Sequence, residues 1–279
     1  MKKDIRLINL QLLLFRSSNL IIKMDNYKNQ RAELAAAFRW TARLEMHESV
    51  VNHFSLSVDD DSSKFLVNPG CSHFSLIKAS DLILVDSNNI QQSISHIDED
   101  NRPLEIALDL HGSIHREINR AKCILHVHSK YATIVSTFKK NKKKNPNWSG
   151  YLPPIDQNTM RFYERISIDS SFDGIAKGTE AERITKKFDD KNILLLGNHG
   201  IIIIGLTVAK AFYDLYYFER ACETYVKALM TGHDLEILPH EIAEKTARQF
   251  ENYKPSNIPD LYFNSLLKIL DKEDPDYKE

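Results

Sequence analysis

Apolar side chains recur at Ala32, Leu34, Ala35, Ala36, Phe38, Trp40 and Leu44, a spacing that predicts an amphipathic helix from Gln30 to Met46. Alternation then replaces the helical period. Phe54–Val58 and Phe65–Val67 read as strands on either side of the Asp59–Ser63 turn, and Asn68-Pro69-Gly70 breaks the run. Ile83–Val85 predicts another short strand. Pro103 suits the first turn of a helix reaching about Ile118, because a first-turn N–H has no intrahelical partner to lose. Ala107, His111 and His115 share one face of that helix at i, i+4 and i+8.

A strand through Ile124–His128 follows, then a helical stretch from Tyr131 to Phe138 and a loop-rich passage over residues 140–160. Thr179–Phe188 predicts a helix, and Asn192–Gly205 a hairpin of two apolar strands. Val208–Met230 predicts a long amphipathic helix, with shorter ones at Glu241–Asn252 and Pro259–Leu270. There is no internal repeat. Strands and helices mixed without strict βαβ order imply an α+β fold over a largely antiparallel sheet.

Composition narrows the picture only a little. A chain of 279 residues with 42% hydrophobic and 27% charged positions supports one large core. Lys and Arg number 37 against 38 Asp and Glu, so no global field selects a nucleic-acid or anionic-membrane partner. The Lys139–Lys144 basic run reads as a solvated loop. Cys71, Cys123 and Cys222 are few and widely spaced, without a Cys-x-x-Cys pair, which points to a reducing, cytoplasmic setting. The apolar stretch from Leu7 to Phe15 is too short to span a bilayer and makes a poor signal peptide, and Met24 is an alternative start.

The candidate chemistry lies in histidine. On a strand, His126 and His128 point to one face roughly 6.5–7 Å apart, so both imidazoles can reach one ion. His199 sits in the Gly197-Asn198-His199-Gly200 turn, where two strands hold it rigid. A single histidine in an apolar run more often packs with one hydrogen bond than binds metal. The pair and the turn together favour a divalent metal site with open positions. Three histidines with open positions also suit ferrous iron.

Several blocks resemble the class II aldolase/adducin family, in order and in spacing. They are Asn68-Pro69, Ala79–Asp86, Leu110–His115, His126–Ser129 and Leu196–Gly200. The resemblance covers Arg31 to Asp276. Gln157–Glu164 and the tail from His240 to Asp276 are similar to the bacterial adducin-like branch in particular. The resemblance implies a three-layer α/β/α arrangement with a central, largely antiparallel sheet. It also implies a metal, usually zinc, on His126, His128 and His199, and a homotetramer acting on a small-molecule substrate. It divides the chain into an N-terminal extension (1–30), the family domain (31–232) and a helical C-terminal extension (233–279).

The departures bear on the reaction. In the aldolases of this family, a catalytic glutamate stands four residues before the helical histidine, and here that position is Ala107. Glu105 is two residues away, about 200° around a helix, so it does not substitute. The phosphate-binding Gly-Asn-x-Ser turn reads Asn52-His53-Phe54-Ser55, which has lost donors for a phosphosugar. His111, His115 and Tyr163 are the candidate catalytic groups in place of the carboxylate, each weighed against a purely structural contact. The expected function is a metal-dependent, aldolase-like carbon–carbon lyase, working through an enolate on a sugar-like or oxo-acid substrate. The alternative is a non-catalytic adducin-like binding module with a cytoskeletal partner such as actin.

Overall fold

The computed structural model describes residues 27–138, 152–171 and 179–279. The segment 1–23 and the Lys139–Lys144 run lie outside these residues. In chain order the elements are α1 (Lys28–Arg43), β1 (His53–Ser57), β2 (Lys64–Val67), β3 (Ile83–Asp86), α2 (Ile90–Ile94), α3 (Glu105–Glu117), β4 (Cys123–Val127) and α4 (Lys130–Ser136). There follow α5 (Gln157–Arg161), β5 (Ile166–Asp169), α6 (Thr179–Lys186), β6 (Ile193–Leu196), β7 (Gly200–Gly205), α7 (Val208–Met230), α8 (His240–Glu251) and α9 (Ile258–Glu273).

The seven strands form one sheet in the order β3-β2-β1-β4-β7-β6-β5. Every neighbouring pair is antiparallel except β5 with β6. The expected α+β architecture, a largely antiparallel sheet between helical layers, is therefore present. The strand not anticipated is β5, whose Ile-Ser-Ile-Asp pattern carries only two apolar residues and acquires its strand form by pairing with β6; the short helices α2 and α5 were not anticipated either.

Side-chain alternation sorts the core into two faces. Phe54, Leu56, Leu125, Val127, Ile201 and Ile203 point toward α1, α7 and α9, where Phe38, Phe212, Phe218 and Leu270 complete a continuous cluster. Ile124, Leu194, Leu196, Ile202 and Ile204 point the other way, against Leu110 and Ile114 of α3 and Ala181 and Ile184 of α6. Phe38 stacks on Phe54 at 4.7 Å and meets the edge of Phe74 at 4.6 Å, tying α1 to the sheet. Burying each such ring contributes roughly 1.5–3 kcal/mol. Phe263, Leu266, Leu270 and Tyr277 join this same cluster, so α9 and the C-terminal turn share the core of the sheet.

Polar positions interrupt the α3 face. His53 and Ser55 of β1 point toward it, and the register sets His53 opposite His126 and Ser55 opposite Ile124. Polar side chains on a buried sheet face require partners, and α3 supplies them with His111 and His115.

Candidate metal centre

β4 brings His126 to the end of the sheet, and its continuation carries His128 just beyond the last paired residue. The β6–β7 turn delivers His199 to the same place. Asn198 takes φ +55° there, a left-handed conformation that asparagine tolerates better than most residues. Gly200 is dictated by packing, because a Cβ there would lie 2.6 Å from the Val127 carbonyl oxygen and 2.9 Å from Cδ2 of His128.

The three imidazoles converge. Ring centroids lie 5.0 Å apart for His126 and His128, 5.1 Å for His126 and His199, and 4.7 Å for His128 and His199. One nitrogen from each ring falls within 4.8 Å of the others, and among the described residues this is the sole trio of His, Cys, Asp or Glu groups so placed.

Hydrogen bonds fix two of the rings. His126 donates from Nδ1 to the Ile201 carbonyl oxygen at 3.0 Å, and His128 donates from Nδ1 to Glu48 Oε2 at 2.7 Å. In neutral rings this leaves both Nε2 atoms as bare lone pairs, 3.2 Å apart. Two lone pairs facing each other without a proton repel, and a shared cation removes the repulsion. Nitrogens bound to one tetrahedral zinc at 2.0–2.1 Å sit about 3.3 Å apart, so the spacing fits. Burial lowers the pKa of His126 well below the usual imidazole value. Burial and the neighbouring His128 push His199 down to about 4. Both are neutral near pH 7, as metal ligands must be.

A second set of contacts holds the frame. Asn52 Oδ1 accepts from the Glu48 backbone N–H at 2.6 Å, which orders the loop carrying Glu48. Glu219, a buried carboxylate of α7, accepts from Ser129 Oγ at 2.6 Å and from the N–H groups of Tyr131 and Ala132 at 2.8 and 3.0 Å. It caps the start of α4 and so anchors the turn that follows His128.

Beside the trio runs a buried polar chain. His53 Nδ1 and His111 Nε2 lie 2.8 Å apart, His111 Nδ1 and Ser55 Oγ 2.6 Å, Ser55 Oγ and His115 Nε2 2.8 Å, and His115 Nδ1 and the Ala121 carbonyl oxygen 2.7 Å. All four side chains are at most 2% exposed. His111 and His115, candidates for ligand or proton carrier, therefore stand outside the metal cluster and belong to this chain. Ala107 is fully buried among Phe65, Val67 and Val85 and places no carboxylate here.

Tyr163 is not brought into the site of its own chain. Its hydroxyl pairs with His240 Nδ1 at 3.0 Å, and its ring packs with Met160, Ala243 and Ala247. Glu48, His53 and Ser55 were not anticipated as site residues. For His53 and Ser55 the signal was two polar residues on alternate positions of a strand, read in the sequence as the remnant of a phosphate cradle.

The profile of the Class II Aldolase and Adducin N-terminal domain matches residues 32–226. The chain belongs to the class II aldolase and adducin family. The crystal structure of an aldolase II superfamily protein from Pseudomonas syringae superposes with a TM-score of 0.79 at 26% identity, covering 91% of this chain and 96% of that one. Among related sequences, an adducin-related protein of Schizosaccharomyces pombe is 29% identical over 276 residues, covering 95% of this chain and 81% of that protein. Decarboxylase NovR of Streptomyces niveus is 26% identical over 235 residues, covering 82% of each. Family members thus include proteins named for aldol chemistry, for decarboxylation and for adducin. Among the described residues, no helix is long and apolar enough to cross a membrane.

Proposed function

We propose that this protein is a divalent-metal-dependent lyase that breaks a carbon–carbon bond in a small oxygenated substrate, sugar-like or an oxo acid, through an enolate. The observation that carries the reading is the convergence of Nε2 of His126 and Nε2 of His128, 3.2 Å apart, with His199 closing the trio. Zinc is the first choice of metal, with iron(II) or manganese(II) next. A bound divalent ion would supply Lewis-acid polarisation of a substrate carbonyl. The chain's own groups do the remainder: Glu48, the Ile201 carbonyl and Glu219 hold the ligands in place, while the buried chain of His53, His111, Ser55 and His115 lies beside them. Ala107 argues for decarboxylation or a related step over phosphosugar cleavage, and the likeness to a decarboxylase supports that choice. A cytoplasmic homotetramer is the expected form.

Metal analysis after anaerobic purification, with and without His126→Ala, tests this. About one metal ion per chain in the wild-type protein, lost in the variant, is the expected result, and the element found distinguishes zinc from iron. A folded wild-type protein that takes up no divalent metal would end the proposal.

The buried Ala107 and the likeness to adducin-related proteins favour a second reading, a non-catalytic oligomeric binding module. Co-sedimentation with filamentous actin at physiological salt tests it. Protein left in the supernatant removes the actin version.

A further inference from the structure

The polar chain behind the trio has a defined direction, and the direction comes from its last member. A carbonyl oxygen only accepts, so His115 donates from Nδ1 to Ala121. His115 Nε2 is then a lone pair and takes the Ser55 hydroxyl proton. Ser55 Oγ in turn accepts from His111 Nδ1, which leaves His111 Nε2 as the acceptor for His53 Nδ1–H. Burial holds His111 and His115 neutral, so no extra proton disturbs the sequence. Each imidazole carries its hydrogen on Nδ1. Reversal at any link would leave Ala121 O facing another lone pair.

The last consequence falls on His53. Its Nδ1 is committed to α3, so its Nε2 is the unprotonated nitrogen. On β4, directly across the strand pair, lies His126, whose ring is 4.8 Å away. No nitrogen of His53 belongs to the metal cluster. His53 Nε2 is thus a lone pair on a ring that stands beside the candidate metal trio without a place in it.

We propose that His53 is a specificity-determining residue: its Nε2 accepts a hydrogen bond from a hydroxyl group of the small molecule held at the histidine trio, so the site selects α-hydroxy acids or ketols over analogues without the O–H. Ser55, His111 and His115 are positioning residues, which act by fixing the tautomer of His53. This deepens the metal-dependent reading above and rests on it. Discrimination of this kind is effective because a buried acceptor left without its donor carries the whole desolvation penalty.

Two measurements test the proposal. In protein labelled with 15N-histidine, long-range proton–nitrogen correlation spectra of the metal-free form should show His53, His111 and His115 all protonated at Nδ1. A proton on Nε2 of His53 would overturn it. In zinc-loaded protein, titration calorimetry with glycolate and with methoxyacetate, which lacks the hydroxyl hydrogen, should show a preference for glycolate about tenfold larger than in His53→Phe. Ser55→Ala, which leaves His53 in place, should shrink that preference too and return a mixture of tautomers. Equal preferences in wild type and His53→Phe with zinc bound would sink this inference alone, whereas failure of the wild-type protein to bind zinc would remove the metalloenzyme reading and this inference with it. If a variant does not fold, the wild-type spectrum still decides.

Discussion

Glu48 accepts a hydrogen bond from His128 Nδ1 at 2.7 Å, although the two residues are 80 positions apart. The contact turns a surface carboxylate into the part that orients a candidate metal ligand. Carboxylate–imidazole pairs of this kind fix the tautomer and raise the basicity of the ligating nitrogen. Glu48→Ala should weaken zinc binding about 10–100-fold, as measured by competition with a chromophoric chelator. An unchanged affinity would mean that His128 is oriented by something else.

Glu219 supports the same ligand from behind. Glu219→Ala leaves the hydroxyl of Ser129 and the N–H groups of Tyr131 and Ala132 without their acceptor, at roughly 1–3 kcal/mol for each that stays buried. Urea unfolding should show a loss of at least about 2 kcal/mol, together with weaker zinc binding. A stable variant with full zinc affinity would show that the α4 cap is dispensable.

Gly200 allows β7 to approach β4 closely. The added methyl of Gly200→Ala would meet the Val127 carbonyl oxygen at 2.6 Å and His128 at 2.9 Å, so a strand or the ligand ring must shift. A destabilisation of about 1–3 kcal/mol is expected, with reduced metal content. Circular dichroism melts and elemental analysis on the same preparation check both.

His115 predicts an acid limb of stability. Burial pushes its pKa from the model-compound 6.5 down to about 4, so between those values the unfolded chain takes up a proton that the folded chain refuses. Stability is therefore complete above about pH 6.5 and declines as pH falls toward 4, by at most about 3 kcal/mol from this group. Urea titrations of metal-free protein across that window should show the slope, and it should be shallower in His115→Gln. A flat profile in both proteins would contradict the buried, neutral state.

The convergence of the three histidines was legible in the sequence because its signals are local. His126 and His128 stand two apart in an apolar strand, and His199 lies in a glycine-flanked turn between two more. The antiparallel sheet was legible for a related reason: alternation reports which residues face which side. β5 was not, since a four-residue strand with two apolar positions forms only when β6 is there to pair with it.

His111 and His115 were found by helical spacing, but their task was hidden. Their partners, His53 and Ser55, come from a strand 56–60 residues earlier, and no local pattern links the two. Tyr163 shows the opposite case, a residue suggested by its motif that the fold pairs with His240.

Periodicity and short-range motifs in this chain determined most of the strand–helix order, the family, and the three imidazoles offered to a cation, because those properties follow from the spacing of neighbours along one backbone. The tertiary structure alone decided which ring nitrogens meet a carbonyl, a carboxylate, a hydroxyl or another imidazole, and that Glu48 and His53 flank the trio. Hydrogen-bond direction depends on what sits across a strand pair or under a helix, and only the folded sheet brings those groups within 3 Å.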